Sequence, residues 1–354
     1  MTSRLTIALD AMGGDAAPEL AIEGAAIARE RHPDVEFLFF GRESDVASLL
    51  EKRPALLRTS RIVHCEDVVR AEDRPSHALR RARQSSMAQA IEAVGAGRAN
   101  VAVSAGNTGA LMALAKFILR TLPSIDRPAL ASLIPTHRGE SVMLDLGANV
   151  DCNANNLVEF AIMGAAFART VLGLSRPQVG LLNIGEEELK GNEVIKDAAE
   201  LLRASNAHLD FRGYVEGDKI GAGAVDVVVT DGFTGNVALK AMEGTARLIG
   251  GLVREAFRSS LWSRLGYGLA RRGLEALRAH LDPNNHNGAV MLGLGGLVVK
   301  SHGGASPQGF ATAIGVAVDM ARHDLIRLIR EDLNGDQQAG ERTPAKDDGQ
   351  AAVQ

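Results

Sequence analysis

Only two cysteines occur in the 354 residues, Cys65 and Cys152, and they stand far apart with no metal-type spacing. This argues against a disulfide framework and a cysteine-based zinc site, and it points to a reducing, cytoplasmic compartment. Aromatic residues are scarce, at 4%, so an aromatic-lined ligand cage is not expected. No run of about 18 apolar residues occurs, and none is expected to span a membrane. The N-terminus lacks the basic-then-apolar pattern of a secretory signal. Strong positive charge is missing too. A net charge of −4 does not suit a molecule built as a whole to attract nucleic acid. The Gly-x-Ser-x-Gly elbow of serine hydrolases is absent. So are the Gly-Lys-Ser/Thr phosphate loop and a Gly-x-Gly-x-x-Gly fingerprint after the first strand.

Glycine is abundant, and it falls where apolar runs stop. Val101 and Val103 mark a short buried strand, which Ser104-Ala-Gly-Asn-Thr-Gly109 breaks. Leu111, Leu114, Phe117 and Ile118 follow at helical spacing. Such a turn leaves backbone N–H groups free at a helix N-terminus, where an anion is favoured. The pattern recurs. Strands are predicted at 6–9, 35–40, 61–65, 130–134, 141–146, 179–184, 210–214 and 225–229, with a glycine-interrupted apolar run at 288–299. Helices are predicted between them, among them 44–52, 74–93, 157–171 and 309–331. The alternation defines an α/β fold, a Rossmann-like α/β/α sandwich with a mostly parallel sheet. One α/β domain is expected over 1–333, and a polar, unpatterned and disordered tail over 334–354.

In an open α/β sheet the loops at the carboxyl edge bind ligands. Six such loops are rich in Gly, Asn, Asp, Ser and Thr, and Lys190, Lys196, Lys300 and His302 lie near them. One helix N-terminus favours an anion by only about 0.3–1 kcal/mol, so several loops and a lysine would have to converge on one phosphate or phosphoryl group. Phosphate is itself an anionic nucleophile at neutral pH. Set against an activated acyl carbon, it needs orientation and oxyanion donors more than a covalent relay. Cys152 reads as a small core residue rather than a nucleophile. Asp10, Asp15, Asp145, Asp151 and Asp231 are the carboxylates open to a metal; zinc spacing is missing and magnesium stays open but without support, so the expected site has no metal and no cofactor. Arg74, Arg80, Arg81 and Arg83 form either a solvated face or an anion contact.

Taken together the strand-end motifs resemble the bacterial acyl-ACP:phosphate acyltransferase family of phospholipid synthesis. They are Ala8-Leu-Asp-Ala-Met-Gly-Gly-Asp15, Val103-Ser-Ala-Gly-Asn-Thr-Gly-Ala-Leu-Met-Ala113, Leu144-Asp-Leu-Gly-Ala-Asn-Val-Asp151, Lys190-Gly-Asn192, Phe211-Arg-Gly-Tyr-Val-Glu-Gly217, Thr230-Asp-Gly-Phe-Thr-Gly-Asn236 and Lys300-Ser-His-Gly303. The resemblance spans roughly residues 5–330. It implies transfer of a long-chain fatty acyl group from acyl carrier protein to inorganic phosphate. The acyl phosphate would then serve a membrane glycerol-3-phosphate acyltransferase. It also implies a homodimer and a fold related to phosphate acetyltransferases and isopropylmalate dehydrogenases. Carried over residue by residue, it implies Lys190 and Asn236 as catalytic. Asp10, Gly13, Gly14, Ser104, Asn107, Thr108, Asn149, Asn192, Asp231 and His302 would bind or shape the phosphate site. Thr230, Thr234 and the arginines at 80–83 depart from the family's usual residues. Two other enzymes fit the loops in part. One is a phosphate acetyl- or butyryltransferase using acyl-CoA, and the other an NAD-linked decarboxylating dehydrogenase. A non-enzymatic lipid-synthesis scaffold is the third alternative.

The stretch 247–282 is different in character. Leu248, Leu252, Phe257, Leu261, Leu265 and Leu269 alternate with arginines, and Trp262 lies among them. Six arginines against Glu255 and Glu275 give residues 254–278 a net charge of +4. This is the pattern of a helix lying on an anionic membrane surface. A basic-faced dimer hairpin and a dock for acidic acyl carrier protein use the same residues. Arg254, Arg258, Trp262, Arg264 and Leu265 are the expected contacts, with peripheral membrane association the result.

Overall fold

A computed structural model describes residues 4–70, 72–73, 79, 83–282 and 284–340. Its strands are β1 (Thr6–Asp10), β2 (Glu36–Gly41), β3 (Ser60–His64), β4 (Val101–Ser104), β5 (Ala129–Thr136), β6 (Gly139–Leu144), β7 (Gln178–Asn183), β8 (Asp210–Glu216), β9 (Val227–Val229), β10 (Ala289–Leu292) and β11 (Leu297–Lys300). They form one sheet in the order β3-β2-β1-β4-β11-β10-β5-β6-β9-β7-β8.

The sheet strands are apolar at successive positions, which a sheet covered on both faces requires. Ile7, Leu9, Val101, Val103, Val142, Leu144, Val227 and Val229 point into one core. Their neighbours Ala8, Ala102, Met143 and Val228 point into the other. Helices 19–31, 154–172, 193–204 and 307–322 cover the first face, and 86–95 and 108–119 the second. The expected α/β/α sandwich is present.

Strand direction carries the functional consequence. β1, β2, β3, β4 and β11 are mutually parallel. β6, β9, β7 and β8 are also mutually parallel. Between the groups, β10 is antiparallel to both β11 and β5, and β5 is antiparallel to β6. The two groups therefore run in opposite senses, and their carboxyl ends lie at opposite edges of the sheet. The sequence pattern predicts one edge; the structure has two.

Two helical expectations change, together with the start of the tail and the form of the 288–299 run. The helix predicted at 74–93 begins at Ser86, where the Ser85 hydroxyl accepts from Ala88 N at 3.3 Å. Arg74, Arg80 and Arg81 lie outside the described residues. Helix 309–331 is two helices, Pro307–Arg322 and Leu325–Gly340, divided where Asp324 turns left-handed at φ 50°. The second helix runs past Asn334, where unpatterned chain is predicted, and 341–354 lie outside the described residues. The apolar run at 288–299 folds as the β10–β11 hairpin, with Gly293 at φ +87° in the turn.

Candidate functional site

At one edge, β6, β9 and β7 end side by side, and each feeds a helix: Ala154–Leu172, Gly232–Arg258 and Glu193–Ala204. The N-caps are Asn153, Asp231 and Asn192, whose side chains accept from Asn156 N (2.9 Å), Thr234 N (2.8 Å) and Ile195 N (2.9 Å). Three helix N-termini thus share one edge, each with partial positive charge. Asp145, fully buried, holds the loop after β6. Its Oδ1 accepts from the backbone N–H of Leu130 (3.0 Å), Gly147 (3.2 Å) and Ala148 (3.0 Å). Its Oδ2 accepts from Asn149 N (2.7 Å) and Asn149 Nδ2 (2.9 Å). Burial pushes the Asp145 carboxyl up, and these donors oppose it. Helix 232–258 is clamped against the same loop. A Cβ on Gly235 would overlap the Asp145 carbonyl oxygen, so only glycine permits the approach.

Between the ends of β7 and β9 opens a cavity of about 520 Å³. Leu157, Leu181, Val194 and Ile195 supply apolar wall, and Asn192 and Asp231 supply polar lining. Lys190 stands two residues before Asn192, exposed, and Asn236 lies on the first turns of helix 232–258, against Gly147. Among the described residues neither side chain has a hydrogen-bond or ion-pair partner. A lysine beside helix N-termini is electrostatically misplaced unless an anion joins it, so this edge suits a phosphoryl ligand. Cys152 also lines the cavity. Burial, with the charges of Asp145 and Asp231, pushes its thiol up to about 11. It stays protonated at neutral pH and is no nucleophile.

The opposite edge, at the ends of β1, β4 and β11, is a buried polar knot. Asp10 accepts from the Ser86 hydroxyl at 2.6 Å and the Ser104 hydroxyl at 2.7 Å, and Ser104 Oγ accepts from Gly106 N at 3.0 Å. Burial pushes the Asp10 carboxyl up, while both hydroxyls pull it down. Lys300 is buried beside it and donates to the Ala105 carbonyl at 3.2 Å and to the Ser301 carbonyl. Burial lowers its ammonium to about 8 against the opposing charges of Asp10 and Asp15. Gly13 closes over the knot, since a Cβ there would lie 2.6 Å from Asp10 Oδ2. Gly14, at φ +101°, turns the loop.

The predicted residues therefore divide. Lys190, Asn192, Asn149, Asp231 and Asn236 gather at the first edge. Asp10, Gly13, Gly14, Ser104, Asn107, Thr108 and His302 gather at the second. Several have local duties: Asn107, like Asn192 and Asp231, caps a helix, accepting from Ala110 N at 2.9 Å. Thr108 and His302 are exposed. Arg83 stacks on the Phe117 ring at 4.9 Å. Ser86 is not among the residues the sequence marks for the site, while Asp145 is marked there only as a carboxylate open to a metal and Lys300 only as a lysine near the loops. Their signal is a charged or hydroxyl residue at or beside the end of an apolar run.

Helices 232–258 and Leu261–Leu281 form a hairpin. No residue of the second is buried. Trp262 is 83% exposed, Leu265 and Leu269 are exposed one and two turns on, and Arg254, Arg258 and Arg264 are exposed beside them. Phe257 and Tyr267 pack edge to face at 5.6 Å across the two helices. Among the described residues no helix is long and apolar enough to cross a membrane.

An α/β sheet that brings three helix N-termini to one edge, with a lysine in one of the loops there, has an edge suited to an anionic ligand. The chain itself is a member of the family described as fatty acid synthesis protein, whose model matches residues 5–328. It is 57% identical over 333 residues to a phosphate acyltransferase of Rhodospirillum centenum, covering 94% of each chain. It is 59% identical over 335 residues to a phosphate acyltransferase of Parvibaculum lavamentivorans, covering 94% of this chain and 93% of that one. Among solved structures it resembles a phosphotransacetylase from Streptococcus pyogenes, with TM-score 0.60 at 17% identity, over 91% of this chain and 95% of that one. The EutD phosphotransacetylase from Staphylococcus aureus gives TM-score 0.58 at 17% identity, over 90% and 94%. These two likenesses establish the fold.

Proposed function

We propose that the protein is a phosphate acyltransferase that moves a long-chain fatty acyl group from acyl carrier protein to inorganic phosphate. The observation that carries the siting is the pairing of partner-free Lys190 and Asn236 with three helix N-termini at the β6–β9–β7 edge. Family membership supports the reaction. Phosphate sits against Lys190, and one of its oxygens attacks the thioester carbonyl. The Asn236 amide and helix N–H groups stabilise the oxyanion, a contribution of a few kcal/mol per well-placed donor. The tetrahedral intermediate collapses, the C–S bond breaks and the carrier thiolate leaves, to be protonated by solvent. The products are acyl phosphate and free carrier protein. The acyl phosphate feeds phosphatidic acid and phospholipid synthesis through a membrane glycerol-3-phosphate acyltransferase. No cofactor enters this route.

Thr108 and His302 face the other edge of the same chain. The proposed enzyme is a homodimer in which one copy presents its Asp10 edge to the Lys190 edge of the other, which would bring Thr108 and His302 to the same site. The exposed hairpin supports peripheral contact of Arg254, Arg258, Trp262, Arg264 and Leu265 with an anionic surface, that of the membrane or of the acidic carrier protein. The reaction is tested by incubating the protein with palmitoyl-acyl carrier protein and labelled phosphate and trapping acyl phosphate with hydroxylamine. Product from the carrier-protein thioester is expected. Product from palmitoyl-CoA alone would reassign the donor, and product from neither would overturn the reading.

A further inference from the structure

The cavity between the ends of β7 and β9 adjoins the proposed phosphate site, sharing Asn192 and Asp231 with it, and extends beyond it. Its polar lining is largely spent on local structure. Asn192 Oδ1 accepts from Ile195 N at 2.9 Å, and both oxygens of Asp231 are held by Thr234, at 2.8 and 2.7 Å. The aliphatic side chains Leu157, Leu181, Leu182, Val194, Ile195 and Val229 make up one wall of the space, and Asp151, Cys152 and Thr230 also line it. A volume of about 520 Å³ lies within the range of small-ligand sites. Apolar side chains also stand at the mouth, beside the exposed Asp151. Phe233 and Val150 line the cavity and are 63% and 66% exposed. Leu189, 89% exposed, directly precedes Lys190. Scattered exposed apolar residues are ordinary, but Phe233 and Val150 stand together at a cavity with an aliphatic wall, which is where an apolar ligand group would enter.

We infer that this cavity receives the alkyl chain of the acyl substrate, with Ile195 and Phe233 setting which chain lengths are used. The inference rests on the acyl-transfer reading and deepens it. A chain laid along the cavity brings its thioester end to the mouth, by the Lys190–Asn192 loop. Ile195, on the first turn of its helix, lines the cavity together with the strand-end residues Leu181, Leu182 and Val229. Phe233 covers the outer methylenes. Each buried methylene is worth roughly fourfold in affinity, so occupancy shows itself in discrimination between long and short chains.

The test measures kcat/KM for palmitoyl- and butyryl-acyl carrier protein in the wild type, Ile195→Trp and Phe233→Ala, with thermal unfolding to verify folding. The palmitoyl-to-butyryl ratio is expected to fall roughly tenfold or more in both variants, since filling or uncovering the cavity removes several methylene contacts. Phe233 is exposed, so Phe233→Ala decides alone if Ile195→Trp does not fold. A ratio within about twofold of wild type in the folded variants overturns the assignment. In that outcome wild-type acyl phosphate formation leaves the acyl-transfer reading standing. Absence of product from wild type with either thioester would overturn both.

Discussion

Replacing Asp145 with asparagine removes one carboxylate oxygen from a loop that depends on two. Oδ1 takes three backbone N–H groups and Oδ2 takes Asn149 N and Nδ2. An amide keeps only one acceptor. In the less damaging orientation its oxygen takes the Oδ1 position, and its NH2 then faces two donors of Asn149. An orphaned buried donor costs about 1–3 kcal/mol, so Asp145→Asn is expected to lose roughly 2–6 kcal/mol. The loss is read from urea unfolding followed by circular dichroism. Asp151→Asn is the control: its side chain is exposed, and a shift within about 0.5 kcal/mol is expected. Acyl phosphate formation should fall further than stability alone explains, because Gly147 of this loop backs Asn236. A loss below about 1 kcal/mol with full activity would refute Asp145 as the anchor of the edge.

Other consequences can be checked independently. Lys300 titrates near 8 in the fold against 10.5 when unfolded. Between these values the unfolded chain binds a proton that the folded chain has shed, so stability rises with pH. The wild-type stability minus that of Lys300→Met should grow by about 3 kcal/mol from pH 7 to pH 11, and a flat difference would refute the buried cation. Trp262→Glu with Leu265→Glu should abolish co-sedimentation with anionic vesicles, and unchanged sedimentation would remove the membrane reading. Mixed and refolded Lys190→Ala and His302→Ala chains should recover activity that neither has alone if the site spans two copies. No recovery would confine the site to one chain.

Much of the fold is written locally. β1, β2 and β7 lie within a residue of where apolar runs place them, because strands buried on both faces read as continuous Val, Ile, Leu and Phe. Strand direction is not written that way. An apolar run reads the same whichever way the strand points, so the reversal at β10 and β5 stays hidden until pairing is known. That is why Asp10, at the end of β1, and Lys190, in the loop after β7, read as one group in the sequence and lie at opposite edges of the sheet. Asparagine has a similar ambiguity. Asn107, Asn192 and Asn236 all sit near helix starts, yet the first two cap their helices and only Asn236 is free of such a bond among the described residues. The helix start at Ser86 was obscured by the polar run before it. Lys300 reads as a strand-end lysine, and only the packing of Ala105 and Ser301 reveals its burial.

The central claim, that acyl transfer occurs at the Lys190 edge, is tested most directly by single-turnover acyl phosphate formation in Lys190→Met with saturating palmitoyl-acyl carrier protein, titrated with phosphate. Losing a charge-assisted contact to the reacting anion, worth about 3 kcal/mol or more, predicts a rate at least roughly a hundredfold below wild type, with an unchanged melting temperature. A Lys190→Met protein that forms acyl phosphate at the wild-type rate, with the wild-type phosphate dependence, would contradict the account.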